Sequence, residues 1–146
     1  KLYKGDELST IDVAVYIHDL FSELVRLNDV SDRITYDTDI APGLAFDLNT
    51  MVPLGLLLNE LITNSFKHAF KGRNEGHINL SIRNAAAGAY DLHYSDDGVG
   101  IPLEKMQVDS GTLGVSLIES LVDQLNGRMT VDGQVGANYH IRFCDR

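Results

Sequence analysis

The chain has 146 residues, 44% of them apolar, which is enough for one compact domain with a hydrophobic core. Its 21 acidic residues outnumber the 12 basic ones, and the formal net charge of −9 makes nucleic acid and anionic membrane surfaces poor candidate partners. The single Cys144 excludes an internal disulfide and suits a reducing compartment, and no apolar run indicates a membrane span or a signal peptide.

The first part of the chain predicts one helix followed by two strands. Ser9 or Thr10 is the expected cap of an amphipathic helix that ends near Asn28. Residues 33–37 and 44–48 each alternate apolar and polar side chains, and an Ala-Pro-Gly turn separates them. We expect these two segments to be neighbouring strands.

A long helix follows, and one of its faces is polar. Thr50 precedes the helix, Pro53 is tolerated in its first turn, and Gly72 stops it. At about 100° per residue, the polar side chains fall within about a third of the circumference. This polar column consists of Glu60, Asn64, Lys67 and His68, and the opposite side consists of Leu54, Leu58, Leu61, Ile62, Ser65 and Ala69.

The second half of the chain predicts two pairs of strands separated by a helix. Residues 77–83 and 90–95 alternate across an alanine-rich turn, which is typical of a hairpin. A helix over residues 114–125 precedes strands at 128–131 and 139–143. Three helices and about six strands, mostly joined by hairpins, predict an α+β fold in which the helices cover one face of a mixed sheet. A doubly wound nucleotide-binding fold is disfavoured, because helices do not separate the strands one by one.

The polar column of the long helix has the chemistry of a metal and phosphate site. Asn64 offers an amide oxygen to a hard cation, while Lys67 and His68 offer cationic or hydrogen-bonding contacts to phosphate. Glu60 offers a carboxylate that can polarise a nucleophile or a water molecule. The alternative is an ordinary solvated helix face, because mixed polar faces are common on helices.

A glycine-containing loop follows the second strand of the predicted hairpin. The carboxylate of Asp96 can accept a hydrogen bond from an exocyclic amine, and Gly98 and Gly100 let the backbone turn tightly beside a flat ring. A plain glycine turn is the alternative. Ile101 and Pro102 follow where the dinucleotide-binding fingerprint would need a third glycine, and the phosphate-loop pattern does not occur either.

A second glycine loop opens the helix at 114–125. The start of a helix presents amide donors and the positive end of the helix dipole, which together favour an anion. Gly111 and Gly114 are small enough for a triphosphate to approach the backbone, and Thr112 is either part of this site or a helix cap. The stretch between the two glycine loops can close over a ligand as a lid.

These motifs, in this order, resemble the ATP-binding catalytic domain of sensor histidine kinases. The resemblance rests on a Glu-Leu-x-x-Asn-[Ala/Ser]-x-Lys-His helix at 60–68, an Asp-x-Gly-x-Gly loop at 96–100 and the glycine loop at 111–114, and it covers nearly the whole chain. It implies membership of the superfamily of gyrase, Hsp90, histidine kinase and MutL. Within it, the chain resembles the branch with the alternative dimerisation segment related to the HWE kinases, although it contains no tryptophan. The implied architecture is the Bergerat ATP-binding fold, a two-layer sandwich of a mixed, mostly antiparallel sheet with about three helices on one face.

The resemblance implies that Mg²⁺ and ATP are bound and that the polar column serves their phosphate end. Asn64 is the implied Mg²⁺ ligand, and Lys67 and His68 are the implied phosphate contacts. Glu60 occupies the position of the general base in the ATP-hydrolysing relatives. Phosphoryl transfer depends mostly on positioning and charge neutralisation, which these side chains and a metal ion can supply.

The resemblance also implies roles for the two glycine loops. Asp96 is the implied partner of the adenine amine. The residues that shape the adenine pocket or face the triphosphate are Gly98, Gly100, Gly111, Thr112 and Gly114. The chain departs from the family pattern at Ala137, where a threonine hydroxyl is common, and in its sparse second glycine loop.

The implied kinase reaction needs an acceptor histidine, and none of the chain's five histidines matches it. His18 precedes an acidic residue but lies on a helix that the family assigns to the ATP domain, so we expect a surface histidine. Because the chain begins with Lys1 rather than Met, we expect it to be a piece of a longer protein. The resemblance implies that residues 1–146 are a single histidine kinase-like ATPase domain, of a cytoplasmic protein or of the cytoplasmic part of a membrane-bound sensor. The dimerisation segment with its acceptor histidine, and the sensor, are then expected upstream.

The sequence therefore predicts a domain that binds Mg-ATP and donates the γ-phosphate to a histidine on the dimerisation helices of the same kinase. A response regulator is the implied downstream partner. One alternative is an ATP-hydrolysing conformational switch in which Glu60 activates water; the short lid favours the kinase over this switch. The other alternative is a non-catalytic nucleotide-sensing or partner-binding module, which Ala137 and the sparse second glycine loop favour.

Overall fold

The computed structural model describes residues 10–70, 72, 74–86, 88–99, 113–133 and 136–144, with the backbone alone at 113–116. Within these ranges the helices are α1 (Val13–Asn28), α2 (Leu48–Asn64) and α3 (Leu113–Gln124), and a π-helical turn (Ser65–Ala69) continues α2 directly. The strands are β1 (Ile11–Asp12), β2 (Ile34–Ile40), β3 (Ala45–Phe46), β4 (Gly76–Asn84), β5 (Ala89–Asp96), β6 (Arg128–Asp132) and β7 (Asn138–Cys144).

Five strands form one mixed sheet in the order β2-β4-β5-β7-β6. Strand β2 runs parallel to β4, and the other three pairs are antiparallel, including the predicted β4–β5 hairpin and the last pair, β6–β7. Strands β1 and β3 form a separate two-stranded sheet. The mixed, mostly antiparallel sheet and the three helices confirm the predicted α+β fold.

The core lies between the helices and one face of the sheet. Alternation along the central strands buries every second side chain, and burial of each large apolar side chain contributes about 1.5–3 kcal/mol before chain entropy is counted. On this inner face the strands bury Ile78, Leu80, Ile82, Leu92, Tyr94, Asp96, Ile141 and Phe143. The helices bury Val13, Ile17, Phe21, Leu24, Met51, Leu54, Leu57, Leu58, Leu61, Ile62, Ile118, Leu121 and Val122 against them.

The expectation that the segments at 33–37 and 44–48 are neighbouring strands is wrong. β2 pairs with β4, and Ala41 continues this pairing by donating its N–H to the carbonyl of Ile82. After Gly43, which has a φ of +73°, the chain leaves the sheet, and β3 pairs with β1 instead. An alternating pattern identifies a strand but not its partner, because either partner satisfies the same alternation.

Both predicted helix starts are also displaced. Asp12 caps α1 by accepting the N–H of Val15, because residues 11 and 12 are extended in β1 and the helix cannot begin at Ser9 or Thr10. Asp47 caps α2 by accepting the N–H of Thr50, which is therefore inside the helix. The earlier start moves Pro53 from the first turn of α2 into its second turn.

Helix α2 does not continue to Gly72 as an α-helix. It ends at Asn64, and the π-helical turn follows without a break. Such turns are rare, and they frequently occur at functional sites. Among the helices in the described ranges, none is long and apolar enough to cross a membrane.

The outer face of the sheet has an ion cluster around Asp91, formed with Arg142 and His140. Its two carboxylate oxygens accept hydrogen bonds from Arg142, at 2.8 Å from Nε and 3.0 Å from Nη2, and Oδ1 lies 3.1 Å from Nε2 of His140. The Arg142 hydrogen bonds, opposed by partial burial and aided by His140, lower the pKa of Asp91 to about 2. Arg142 and His140 therefore stabilise the ionised form of the Asp91 carboxylate in the folded protein.

This lowered pKa predicts a pH-dependent contribution to stability. Because the folded pKa lies below the unfolded one, the contribution is fully present above about pH 4 and is lost as the pH falls through about 2. Asp91→Asn is expected to lower the melting temperature by about 2 °C at pH 7, and the difference from the unchanged protein should vanish near pH 2. Calorimetry between pH 2 and 7 measures both.

Asp39→Asn is the matched control for this experiment, because Asp39 pairs with Arg83 on the same face and both side chains are more than half exposed. Exposed pairs contribute little, so the control should change the melting temperature by less than about 1 °C. A loss for Asp91→Asn that stays constant with pH would contradict the assigned cause.

Candidate functional site

The carboxylate of Asp96 is buried at the end of β5. It is 6% exposed, and three donors surround it. Oδ1 accepts the backbone N–H groups of Gly98 and Ala137, both at 3.0 Å, and Oδ2 accepts the hydroxyl of Ser65 at 2.7 Å. The orientation of the carboxylate is therefore fixed from two sides.

The number of donors leaves one acceptor position open. Each carboxylate oxygen can accept about two hydrogen bonds. Oδ1 of Asp96 already accepts two, whereas Oδ2 accepts one. A further donor, such as an exocyclic amine, is therefore expected at Oδ2.

Ser65 and Tyr94 extend this network into the core. The hydroxyl oxygens of the two residues lie 2.6 Å apart, and the carbonyl oxygen of Leu61 lies 3.2 Å from the Tyr94 hydroxyl. Burial raises the pKa of Tyr94 well above its usual value, so its hydroxyl remains a donor. Because Ser65 uses its one proton for Asp96, Tyr94 is the donor to Ser65.

The loop after β5 is seated on the π-helical turn. The N–H of Val99 donates to the carbonyl of Ala69 at 2.7 Å. A Cβ atom on Gly98 would lie 2.3 Å from that same carbonyl oxygen and 2.5 Å from the Ala69 side chain. Glycine at position 98 is therefore required for the backbone of this loop to approach the turn so closely.

The segment before β7 closes the other side of the carboxylate. Gly136 has a φ of +70°, and a Cβ atom there would lie 2.1 Å from the carbonyl oxygen of Asp96. The next residue, Ala137, accepts the N–H of Asp96 at 2.9 Å and donates its own N–H to the carboxylate. Both contacts use the backbone, so they do not depend on the threonine side chain that Ala137 replaces.

The polar column predicted on the long helix lies partly in the α-helix and partly in the π-helical turn. Glu60 and Asn64 lie one turn apart near the end of α2 and are half-buried. Lys67 and His68 are exposed and lie in the π-helical turn, where hydrogen bonds span five residues rather than four. The spacing of 100° per residue therefore describes Glu60 and Asn64, whereas the wider turn sets the direction of the two cationic side chains.

Tyr139 is a further side chain near the carboxylates. Its ring packs edge-on against Tyr94, with 6.1 Å between the centroids. Burial first, and then the negative charges of Asp96 and Glu60, raise the pKa of Tyr139 to about 12. The neutral phenol therefore lies within electrostatic reach of both the buried carboxylate and the polar column.

Several predicted site residues lie outside the described residues. These are Gly100 in the first glycine loop and Gly111 and Thr112 in the second. Gly114 is the second residue of α3, so a helix does begin at the predicted place. The proposed lid between the two loops also falls outside the described ranges.

The described residues test whether Mg²⁺ fits this site. Among them, no three His, Cys, Asp or Glu side chains are grouped so that they could hold a metal ion. Mg²⁺ is usually held by one or two protein oxygens together with phosphate oxygens and water rather than by a cage of protein ligands. The half-buried amide of Asn64 fits this mode, in which the nucleotide supplies the other oxygens.

Sequence reasoning missed the roles of Ser65, Tyr94 and Tyr139. Ser65 was placed correctly on the buried side of the helix, but its contact with Asp96 joins residues that are far apart in sequence. A signal for Tyr94 was present, because it precedes Asp96 by two positions in a strand and so shares its face. The alternation of β7 contained the same signal for Tyr139.

Comparison with known proteins shows the class to which this fold belongs. The solved structure of the Erythrobacter litoralis EL346 blue-light activated histidine kinase has the same fold, with a TM-score of 0.82 and 24% identity over 92% of this chain and 42% of that chain. Residues 50–145 match the family described as histidine kinase-, DNA gyrase B-, and HSP90-like ATPase, and the chain belongs to this family.

Curated relatives of the chain are kinases with different acceptors. Blue-light-activated histidine kinase 2 of Erythrobacter litoralis is 32% identical over 78 residues, which are 53% of this chain and 22% of that protein. Serine-protein kinase RsbW of Listeria innocua is 30% identical over 100 residues, covering 59% of this chain and 63% of that protein. The chain thus spans less than two thirds of each of these relatives.

Proposed function

We propose that the chain is the catalytic domain of a sensor histidine kinase, which binds Mg-ATP and donates the γ-phosphate to a histidine on a separate dimerisation helix. The observation that supports this most strongly is the open acceptor position on the buried Asp96 within a fold of the ATPase family. Residues 1–146 then act as a single domain of a cytoplasmic protein or protein segment. Its proposed partners are the dimerisation helices of the same kinase and a response regulator.

Asp96 provides base recognition in this proposal. The exocyclic amine of adenine donates to Oδ2, the oxygen with an open position. Guanine presents a carbonyl oxygen at the corresponding place, which would face a carboxylate oxygen and be repelled. Gly98 and Gly100 shape the pocket beside the ring, because a side chain at position 98 would strike Ala69.

The polar column and the second glycine loop bind the triphosphate. The amide oxygen of Asn64 is a hard donor that would ligate Mg²⁺, and the bound metal would neutralise part of the phosphate charge. Lys67 and His68 contact the phosphates from the π-helical turn. The segment formed by Gly111, Thr112 and Gly114 presents the start of α3 to the triphosphate. These local charges are needed because the chain as a whole has a net charge of −9.

The transfer step itself requires no covalent bond to this domain. A ring nitrogen of the acceptor histidine bonds to the γ-phosphorus as the bond to the β-γ bridging oxygen breaks, and ADP leaves with the electron pair of that bond. Glu60 is the proposed catalytic carboxylate, because it lies half-buried one turn before Asn64. It can orient the acceptor ring and accept its proton.

The described histidines outside the polar column support an acceptor on another segment. His18 is exposed on α1, as expected, and His77, His93 and His140 lie on the outer face of the sheet, away from Asp96. Two of these are engaged with carboxylates, since Nε2 of His77 lies 3.0 Å from Asp37 and Nε2 of His140 lies 3.1 Å from Asp91.

The proposal is tested by titrating Mg-ATP against the domain and then adding a separately produced dimerisation domain with γ-labelled ATP. We expect binding in the micromolar to millimolar range and transfer of label to the added domain in an acid-labile, base-stable form, as a phosphohistidine requires.

Release of inorganic phosphate alone would favour the ATP-hydrolysing switch. Acid-stable label would favour a protein hydroxyl as acceptor, which the relative RsbW suggests. Binding without turnover would favour a nucleotide-sensing module, and absence of binding would reject the proposal.

Asn64→Ala is predicted to remove the Mg²⁺ dependence of ATP binding. In the unchanged domain, Mg²⁺ should strengthen ATP binding by roughly tenfold, because the metal links the phosphates to the Asn64 amide. In the variant this gain should fall below about twofold. Calorimetric titration of ATP with Mg²⁺ and with a chelator measures both values.

Asn59→Ala is the matched control, because Asn59 lies on the same helix, is also half-buried and falls off the polar column. It should retain the full Mg²⁺ dependence. A metal-dependent gain that survives in Asn64→Ala would refute the assignment of Asn64 as the ligand.

A further inference from the structure

The hydroxyl groups of Ser65 and Tyr94 form a buried chain that ends on Oδ2 of Asp96. Tyr94 donates to Ser65 over 2.6 Å, and Ser65 donates to Oδ2 of Asp96 over 2.7 Å. Ser65 is 3% exposed and Tyr94 is 1% exposed, so bulk water does not compete for either hydroxyl. The proposed function assigns neither residue a part in choosing the nucleotide.

We infer that Ser65, oriented by Tyr94, is a positioning residue that makes the site selective for a purine with a 6-amino group; this inference rests on the proposed function. The two backbone donors fix Oδ1 of Asp96, and the Ser65 hydroxyl occupies one of the two acceptor positions of Oδ2. The one acceptor position that remains on Oδ2 therefore has a fixed direction. A ligand amine then meets a carboxylate that is already oriented, which reduces the entropy lost on binding.

Ser65 accepts the proton of Tyr94, so its own proton is free to donate to Asp96 rather than to Tyr94 or to its own helix. Serine and threonine in helices commonly donate to the carbonyl four residues earlier, as Thr63 does to Asn59 at 2.8 Å. For Ser65 that carbonyl belongs to Leu61, which already accepts the N–H of Ser65. The charged carboxylate of Asp96, 2.7 Å away, is the stronger acceptor and takes the Ser65 proton, while the Ser65 oxygen accepts the single proton of Tyr94.

This role can be separated from a merely structural one by changing the ligand as well as the protein. We propose to measure the affinity of the full 146-residue chain for ATP and for purine riboside triphosphate, which lacks the 6-amino group, both with Mg²⁺. Ser65→Ala should weaken ATP binding by about tenfold and change binding of the analogue by less than about twofold. Tyr94→Phe should show the same pattern with a smaller loss for ATP, about threefold.

Two hydroxyl deletions close to the network are the matched controls. Thr63→Ala removes a hydroxyl from α2 that donates within the helix, and Tyr90→Phe removes a phenol hydroxyl from the same face of β5. Both should leave the affinities for ATP and for the analogue within about twofold of the unchanged chain. Thermal melting of each variant shows whether it is folded at the temperature of the titration.

The outcomes distinguish this inference from the proposed function. Equal losses for ATP and for the analogue, or no loss of ATP affinity in either variant, would overturn the role of Ser65 while leaving ATP binding by the domain intact. If Ser65→Ala does not fold, the same comparison with Tyr94→Phe decides the question. Failure of the unchanged chain to bind ATP would overturn the proposed function, and with it this role.

Discussion

Gly136→Ala is expected to lower the free energy of unfolding by more than about 3 kcal/mol and to abolish ATP binding in any fraction that still folds. The backbone at this position has a φ of +70°, which costs an alanine about 1 kcal/mol, and the added Cβ would lie 2.1 Å from the carbonyl oxygen of Asp96. That oxygen belongs to a backbone held in the sheet, so the clash cannot be relieved by rotating a side chain. Urea unfolding followed by circular dichroism measures the loss.

Gly88→Ala separates the conformational cost from the steric one. Gly88 has a φ of +76°, but no heavy atom lies within 4 Å of the position that its Cβ would occupy. We therefore expect this control to lose only about 1 kcal/mol and to keep its ATP affinity. If the two variants lost the same stability, the close approach of Gly136 to Asp96 would not be the cause.

The type and order of the main elements followed from the sequence, because hydrophobic periodicity is a local property of the chain. The long helix and the β4–β5 hairpin are examples. The parallel pairing of β2 with β4 could not be predicted in the same way, because it joins residues about 40 positions apart, such as Thr35 and His77. Similarly, the two helices begin after Asp12 and Asp47 rather than at the expected positions, because two short strands, β1 and β3, fix the backbone just before each helix.

In the candidate site, too, local features could be predicted from the sequence and long-range contacts could not. Asn64 and Asp96 could be proposed as candidates from residue type and spacing alone, because both are properties of the linear sequence. The donors that orient Asp96 come from three separate parts of the chain, at Ser65, Gly98 and Ala137. Two of them are backbone N–H groups, and these leave no trace in residue identity. The π-helical turn was equally hidden, since the sequence at 65–69 is compatible with an ordinary α-helix.

Asp96→Asn is expected to reverse the nucleotide preference of the site. The two N–H groups of Gly98 and Ala137 require an acceptor, so the amide oxygen of the asparagine will take the place of Oδ1 and its NH₂ group that of Oδ2. The open acceptor position then becomes a donor, which opposes the amine of adenine and matches the carbonyl of guanine. We expect ATP to bind about a hundredfold more weakly and GTP to bind more tightly than it does to the unchanged domain.

The neighbouring residue provides the control for this reversal. Asp97 is exposed, and one of its carboxylate oxygens accepts the N–H of His77, a contact that an asparagine oxygen can also make. Asp97→Asn removes the same charge one residue away, so it should preserve the preference for ATP. Competition titrations with ATP and GTP on both variants give the ratio of affinities. If Asp96→Asn weakened both nucleotides equally, Asp96 would stabilise the pocket without contacting the base, and the assignment of Oδ2 to the adenine amine would have to be withdrawn.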